Sequence, residues 1–238
     1  MLKPRFKCHA SSVGTIMTEP QRKEDKLSKT CISHVEEWMK EALYDRRQKF
    51  SSKYTEKGNE CENDSIEFAS KYFGWGDVKK NTEKRENEWF IGTCDINRNK
   101  VGGDIKNSWS EKTFPLFQNE VTNKDYIWQL QTYADLYSFD HLELIYTLMD
   151  APEWLIESEA RKQQRILRLD DLEAELYEEV KKSMTYSDLP DFLRIKKFDF
   201  DTDLDKINQA RCRVDLINDW IENDTDFYEK LNRKYGNL

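Results

Sequence analysis

The chain has 238 residues, room for one large domain or two small ones. Charged residues make up 35% and hydrophobic ones 37%, but 13% are aromatic and seven are Trp, which excludes a disordered polar chain and calls for a packed core. No 18-residue apolar run exists and the N-terminal MLKPRFKCHASS has no apolar signal-type core, so no membrane partner is expected and a cytoplasmic location is.

The net charge of −8 argues against a broad nucleic-acid footprint, yet it is unevenly spread. Residues 1–58 carry 13 Lys/Arg against 8 Asp/Glu, and the remainder 25 against 38. A basic N-terminal portion suits a phosphate backbone, and clustered acids suit a metal. The five cysteines (Cys8, Cys31, Cys61, Cys94, Cys212) are odd in number, widely spread and free of CxxC pairs, which reads as reduced thiols without zinc or disulfides.

In chain order, Ala10 to Met17 reads as a short helix capped by Ser11 or Ser12, preceded by Lys3, Arg5 and Lys7. A cap with a basic tail is one reading; a phosphate pocket at a helix N-terminus is the other. Residues 18–29 read as loop. Ile32, Val35, Met39, Ala42 and Leu43 recur at helical spacing, predicting a helix over 32–49 that closes on Arg46, Arg47 and Lys49. Residues 51–57 read as a connection, and Gly58 or Asn59 as the opening of a helix to Tyr72, stopped by Gly74-Trp-Gly76. On it Glu62, Ile66 and Ala69 fall on one face, whereas Glu60 and Asp64 lie about 200° away.

Glu88 to Trp109, EWFIGTCDINRNKVGGDIKNSW, reads as a hairpin. Trp89–Ile96 forms one arm, Asn97–Lys100 the turn and Val101–Ser108 the other arm. Each arm carries a carboxylate, Asp95 and Asp104. Lys106, two residues beyond Asp104, shares its face, because strand side chains alternate. Acids inside an apolar strand are costly unless they are paired or bind a metal. Residues 110–122 are irregular. Asp125–Tyr137 reads as a helix with an aromatic stripe, where Gln129 and Tyr133 are neighbours at i, i+4. Leu142–Met149 reads as a buried strand. Pro152 opens a charged, solvated helical region to about Ser183, Phe192–Phe200 a last strand, and 203–222 and 224–235 two helices. The order helix, hairpin, helix, strand predicts a mixed sheet with helices packed on it.

Ser11/Ser12 before a short helix, Gly58-x-x-x-Glu62, Gly92-x-x-Asp95, Asp104-Ile-Lys106-x-Ser108 and Gln129-x-x-x-Tyr133 occur in one order over about residues 5–149. Together they resemble the PD-(D/E)XK nuclease superfamily, and within it the phage-type recombination exonucleases of the lambda exonuclease or YqaJ kind. Gly102-Gly103 departs from the pattern, which has apolar strand residues before the acid. The resemblance implies an α/β (α+β) restriction-endonuclease-like fold: one domain over 1–238, with a central mixed β-sheet flanked by helices (core about 5–149) and a helical C-terminal elaboration (about 150–238). It implies a Mg²⁺- or Mn²⁺-dependent deoxyribonuclease acting on double-stranded DNA ends, 5′ to 3′, to expose single strands for recombination. Glu62, Asp95, Asp104 and the Ile105 carbonyl would hold the metal, Lys106 would orient or deprotonate the water, and Gln129 would support the site. Arg5, Ser11, Ser12, Ser108 and Tyr133 would contact DNA. A homo-oligomer, a single-strand annealing partner and a host-cytoplasm location, if phage-encoded, come with the resemblance. A structure-specific endonuclease, a nuclease subunit of a repair complex and a non-catalytic DNA-binding protein are the competing readings.

Overall fold

A computed structural model describes residues 4–47 and 52–236. Two sheets and eight α-helices are formed by the described residues. The central sheet has the order β4 (Ile96–Arg98), β5 (Val101–Asn107), β6 (His141–Thr147), β7 (Ile195–Asp201). The β4–β5 and β6–β7 pairs are antiparallel and β5–β6 is parallel. The parallel pair needs a crossover, and α4 (Lys124–Tyr137) supplies it. This is the expected mixed sheet with flanking helices.

The hairpin is shorter than expected. The first arm splits: β3 (Phe90–Gly92) leaves the hairpin and pairs with β1 (Cys8–His9) and β2 (Arg85–Glu86) in a separate three-stranded sheet. Only Ile96–Arg98 pairs with β5, around a turn where Asn99 adopts φ 56°. The two glycines of β5 do not loosen it. A Cβ on Gly102 would stand 2.2 Å from the Phe139 ring, and one on Gly103 3.2 Å from Ile96, so their absence lets the ring and β4 close on the strand.

Helix α3 (Lys53–Phe73) begins earlier than Gly58, because Ser52 and Thr55 form a capping box. Gly74, at φ 68°, ends it. Helix α2 (Lys29–Tyr44) stops earlier than 49. Asp45 turns left-handed, Arg46 and Arg47 lie beyond the helix, and Lys49 is outside the described residues. The short α1 is Val13–Ile16.

The charged stretch after Pro152 is two helices, α5 (Glu153–Leu167) and α6 (Ala174–Met184), separated where Arg168 turns left-handed. They are not simply solvated: Leu155, Ile156, Ala160, Leu176 and Val180 form their own buried cluster. The C-terminal portion is also more than a helical addition. Strand β7 is the fourth strand of the central sheet, and α7 (Leu204–Asp224) buries Ile207, Val214, Ile217 and Ile221 in the main core beside Leu130, Tyr133 and Leu144. Helix α8 (Phe227–Tyr235) closes the chain. Among the described residues no helix is long and apolar enough to cross a membrane.

Candidate active site

Strand alternation sets the site. In β5, Gly103 and Ile105 face α3, where Ile105 joins Ile66, Ala69, Ile96 and Ile145. Asp104 and Lys106 therefore face α4. Their register partners on β6 are Leu144 and Tyr146. Helix α4 buries Leu130, Tyr133 and Ala134 on this face, which turns Gln129 toward β5.

The result is a closed polar group. Gln129 Nε2 donates to Asp104 Oδ1 and to the Tyr133 hydroxyl, both at 2.9 Å. Lys106 Nζ lies 2.6 Å from Asp104 Oδ2 and donates to Gln129 Oε1 at 3.4 Å, with the Tyr126 ring centroid 4.7 Å away. Asp104 is only 2% exposed, and its Oδ2 receives no aligned hydrogen bond; the lysine charge alone stands beside it.

Asp95 sits one residue before β4, where antiparallel register continued from Ile96 and Gly103 brings it opposite Asp104. Its Oδ2 accepts the Ile105 N–H at 2.7 Å, taking the place of a ladder partner. The N–H and C=O of one strand residue point to the same side, so the Ile105 carbonyl also faces the side where β4 has ended. Glu62 is delivered by α3, with Ile66 and Ala69 buried four and seven residues on. Its carboxylate pairs with Lys80 at 2.7 Å. Glu60 turns elsewhere, to the Trp154 indole at 2.6 Å, and Asp64 is exposed.

Glu62, Asp95, Asp104, Ile105, Lys106, Ser108, Gln129 and Tyr133 thus line one cleft of about 690 Å³, ample for a nucleotide. Tyr133 stands behind Gln129, buried, and burial raises its hydroxyl pKa. Arg5, Ser11 and Ser12 do not line the cleft. Arg5 is taken by Glu88 and Asp215, each at 2.8 Å, so its guanidinium is already neutralised. Neither serine caps a helix with its side chain, and α1 is a single turn. The phosphate pocket read at the N-terminus is therefore not assembled there.

Burial and the facing Asp104 carboxylate hold the Asp95 pKa well above the ordinary carboxylate range. For Lys106, burial favours the neutral amine, but the Asp104 charge outweighs it and raises the pKa. A divalent cation suits this arrangement. The donors are all oxygens, as a hard cation requires, and one Asp104 oxygen is buried with only the Lys106 ammonium beside it. Such a cation would also relieve the crowding of two buried carboxylates.

A second acidic cluster, His141, Glu143 and Asp199, lies on the opposite face of the sheet, since Glu143 is in register with Gly103 and Asp199. Its centre is already occupied by a cation. Lys197 Nζ is 2.8 Å from both Glu143 Oε1 and Asp199 Oδ1, and Arg98 pairs with Glu143 Oε2. Two lysines near the cleft have no sequence signal of their own. Lys80 pairs with Glu62 across the loop after α3. Lys57, 1% exposed, would stand out on the Cys61/Ser65 stripe only once α3 is started at Ser52.

No protein-family model matches the chain, and no curated protein does. Solved structures do. A phage-related exonuclease from Haemophilus somnus 129PT superposes with a TM-score of 0.76 at 28% identity, covering 97% of this chain and 96% of that one. An alkaline exonuclease from Laribacter hongkongensis superposes with a TM-score of 0.65 at 13% identity, covering 96% and 94%. The same enzyme in complex with dAMP gives 0.63 at 15% identity, covering 96% and 92%. The resemblance to phage-type exonucleases of the PD-(D/E)XK kind is borne out along nearly the whole chain.

Proposed function

We propose, starting from that likeness, that this chain is a nuclease of the phage exonuclease type, and more finely a divalent-metal-dependent DNA exonuclease that hydrolyses phosphodiester bonds at duplex ends. The reading is carried by the group of Asp104, Lys106 and Gln129 with Asp95 clamped against Ile105, inside one cleft. Glu62, Asp95, Asp104 and the Ile105 carbonyl would hold Mg²⁺ or Mn²⁺, which supplies Lewis acidity toward the phosphate and lowers the pKa of water. Lys106, kept protonated by Asp104, orients the water through its N–H groups and offsets charge on the phosphorane-like transition state. Its raised pKa favours the orienting role over that of a base. Gln129 fixes Asp104 and Lys106 at their separation, and Tyr133 fixes Gln129. Ser108 extends the cleft along β5.

Directionality from 5′ to 3′, a role in recombination, assembly with further copies and an annealing-protein partner belong to the same proposal and rest on the likeness alone. With Arg5 committed to Glu88 and Asp215, the polarity has lost its support from the N-terminal segment.

The test is hydrolysis of linear and covalently closed circular duplex with Mg²⁺ or Mn²⁺. Linear DNA should shorten from its ends, the circle should persist, and EDTA should stop the reaction. Linearised circles would replace the exonuclease with an endonuclease. Binding without hydrolysis under both metals would leave a DNA-binding protein. Phosphorothioate blocks placed at the 5′ or the 3′ terminus read the polarity.

A further inference from the structure

One end of the cleft is built from aromatic rings instead of acids. Trp109 lies two residues beyond the end of β5. Four residues lie between it and Asp104, so even a fully extended chain keeps the two within about 18 Å. Tyr54, from the first turn of α3, meets it with ring centroids 4.6 Å apart and planes at 62°. Both line the cleft that holds Asp95 and Asp104. Tyr54 is 59% exposed, and among the described residues neither its hydroxyl nor the Trp109 indole N–H has a hydrogen-bond partner.

The backbone that carries the indole is held by a buried lysine. The buried Lys57 ammonium donates to the carbonyls of both Ser108 and Trp109 at 3.0 Å. Burying an ammonium is costly unless it is hydrogen-bonded, and the two carbonyls that hold this one are thereby tied to α3. A second lysine, Lys53, sits 4.9 Å from the indole centroid. It pairs with Glu159 at 2.5 Å, and Lys162 lies 3.6 Å from the same carboxylate. Two ammonium groups share that one carboxylate, so it does not fully offset their charge.

We propose that Tyr54 and Trp109 form a stacking subsite for one nucleobase of the strand being cleaved, with Lys53 receiving the phosphate beside it. This deepens the nuclease reading and rests on it. A phosphodiester drawn in to Asp95 and Asp104 loses the base stacking of the duplex end. An exposed ring at the cleft mouth replaces that lost contact, and it accepts any base because every base has a π-face. The flanking ammonium groups add cation–π and phosphate attraction.

The test uses single-stranded oligonucleotides in EDTA, read by fluorescence anisotropy, with one abasic residue moved along the strand. The unaltered protein should lose roughly tenfold in affinity when the abasic residue reaches one particular position. Tyr54→Leu, at an exposed ring that leaves the core intact, should bind the complete strand roughly tenfold more weakly and show no further loss at that position. Tyr54→Phe should restore both. Trp109→Phe should keep the position-specific penalty, and a melting temperature close to that of the unaltered protein checks its fold. An abasic penalty equally large in Tyr54→Leu overturns the subsite while Mg²⁺-dependent hydrolysis keeps the nuclease reading. A penalty that depends on Tyr54 in a protein that hydrolyses nothing overturns the nuclease reading and the assignment to a cleaved strand. No binding of any oligonucleotide overturns both.

Discussion

The central sheet carries two acidic clusters, one on each face, and they differ in what completes them. On the α3 face, Glu143 and Asp199 share Lys197, Glu143 also takes Arg98, and His141 lies 3.0 Å from Asp199. Every carboxylate there has its counter-charge from the chain itself. On the α4 face, Asp95 and Asp104 share one lysine, which alone stands beside the second Asp104 oxygen, and the group opens onto a cleft. Counting carboxylates makes the clusters look alike. Counting cations separates them: the first cluster is neutralised by the chain itself, and the second is the one proposed to take an external cation.

The comparison can be broken most sharply by cleavage rates. Asp104→Asn and Lys106→Met should each lower hydrolysis by about 10²-fold or more, as loss of a single transition-state stabiliser does, in protein that circular dichroism shows to be folded at the assay temperature. Glu143→Gln should cleave at the normal rate. Turnover that survives Lys106→Met and is lost with Glu143→Gln would reverse the assignment of the two faces.

Stability should show the opposite pattern. Glu143 is 4% exposed with two cations upon it. Glu143→Gln leaves Arg98 without its carboxylate and Lys197 with Asp199 alone, at a cost of about 3 kcal/mol read from the urea midpoint. A midpoint unchanged by Glu143→Gln would show the network to be dispensable.

Metal addition should sharpen the contrast. Mg²⁺ at 100 times its dissociation constant should stabilise the unaltered protein by about 2.7 kcal/mol in thermal unfolding. Asp104→Asn should abolish that gain, Glu62→Gln should reduce it, and Glu60→Gln and Glu143→Gln should retain it. A gain that persists in Asp104→Asn and vanishes in Glu143→Gln would move the metal to the other face.

The smallest effect concerns pH. Burial and Asp104 raise the folded pKa of Asp95 above its unfolded value, so the folded state holds that proton more tightly. The metal-free protein should therefore lose stability as pH rises from the unfolded value, about 4, through the raised folded one. Asp95→Asn, whose amide oxygen can still accept from Ile105, should melt higher than the unaltered protein in EDTA at pH 8 and show no advantage at pH 4. Equal melting at pH 8 would mean that Asp95 bears no electrostatic strain.

Local pattern determined much of this protein. Alternation placed Asp104 and Lys106 on one face of a strand, 3.6-residue periodicity put Glu62 over Ile66 and Ala69 and not Glu60 or Asp64, and the aromatic stripe around Gln129 marked α4. These rest on side-chain periods set within a few residues, and they hold in the structure. Tertiary structure decided what local pattern leaves open. The apolar run before Asp95 reads as one strand, yet its first half found better partners in Cys8–His9 and Arg85–Glu86, which leaves Asp95 free of the ladder. Arg5 has the chemistry of a phosphate ligand and was claimed by Asp215, 210 residues away. Pairing of charges across such distances depends on which surfaces the folded chain brings together, and no local spacing encodes it. For the same reason the cleft of Asp104 and the neutralised network of Glu143, one residue apart in register on adjoining strands, are told apart only by what the fold sets against each.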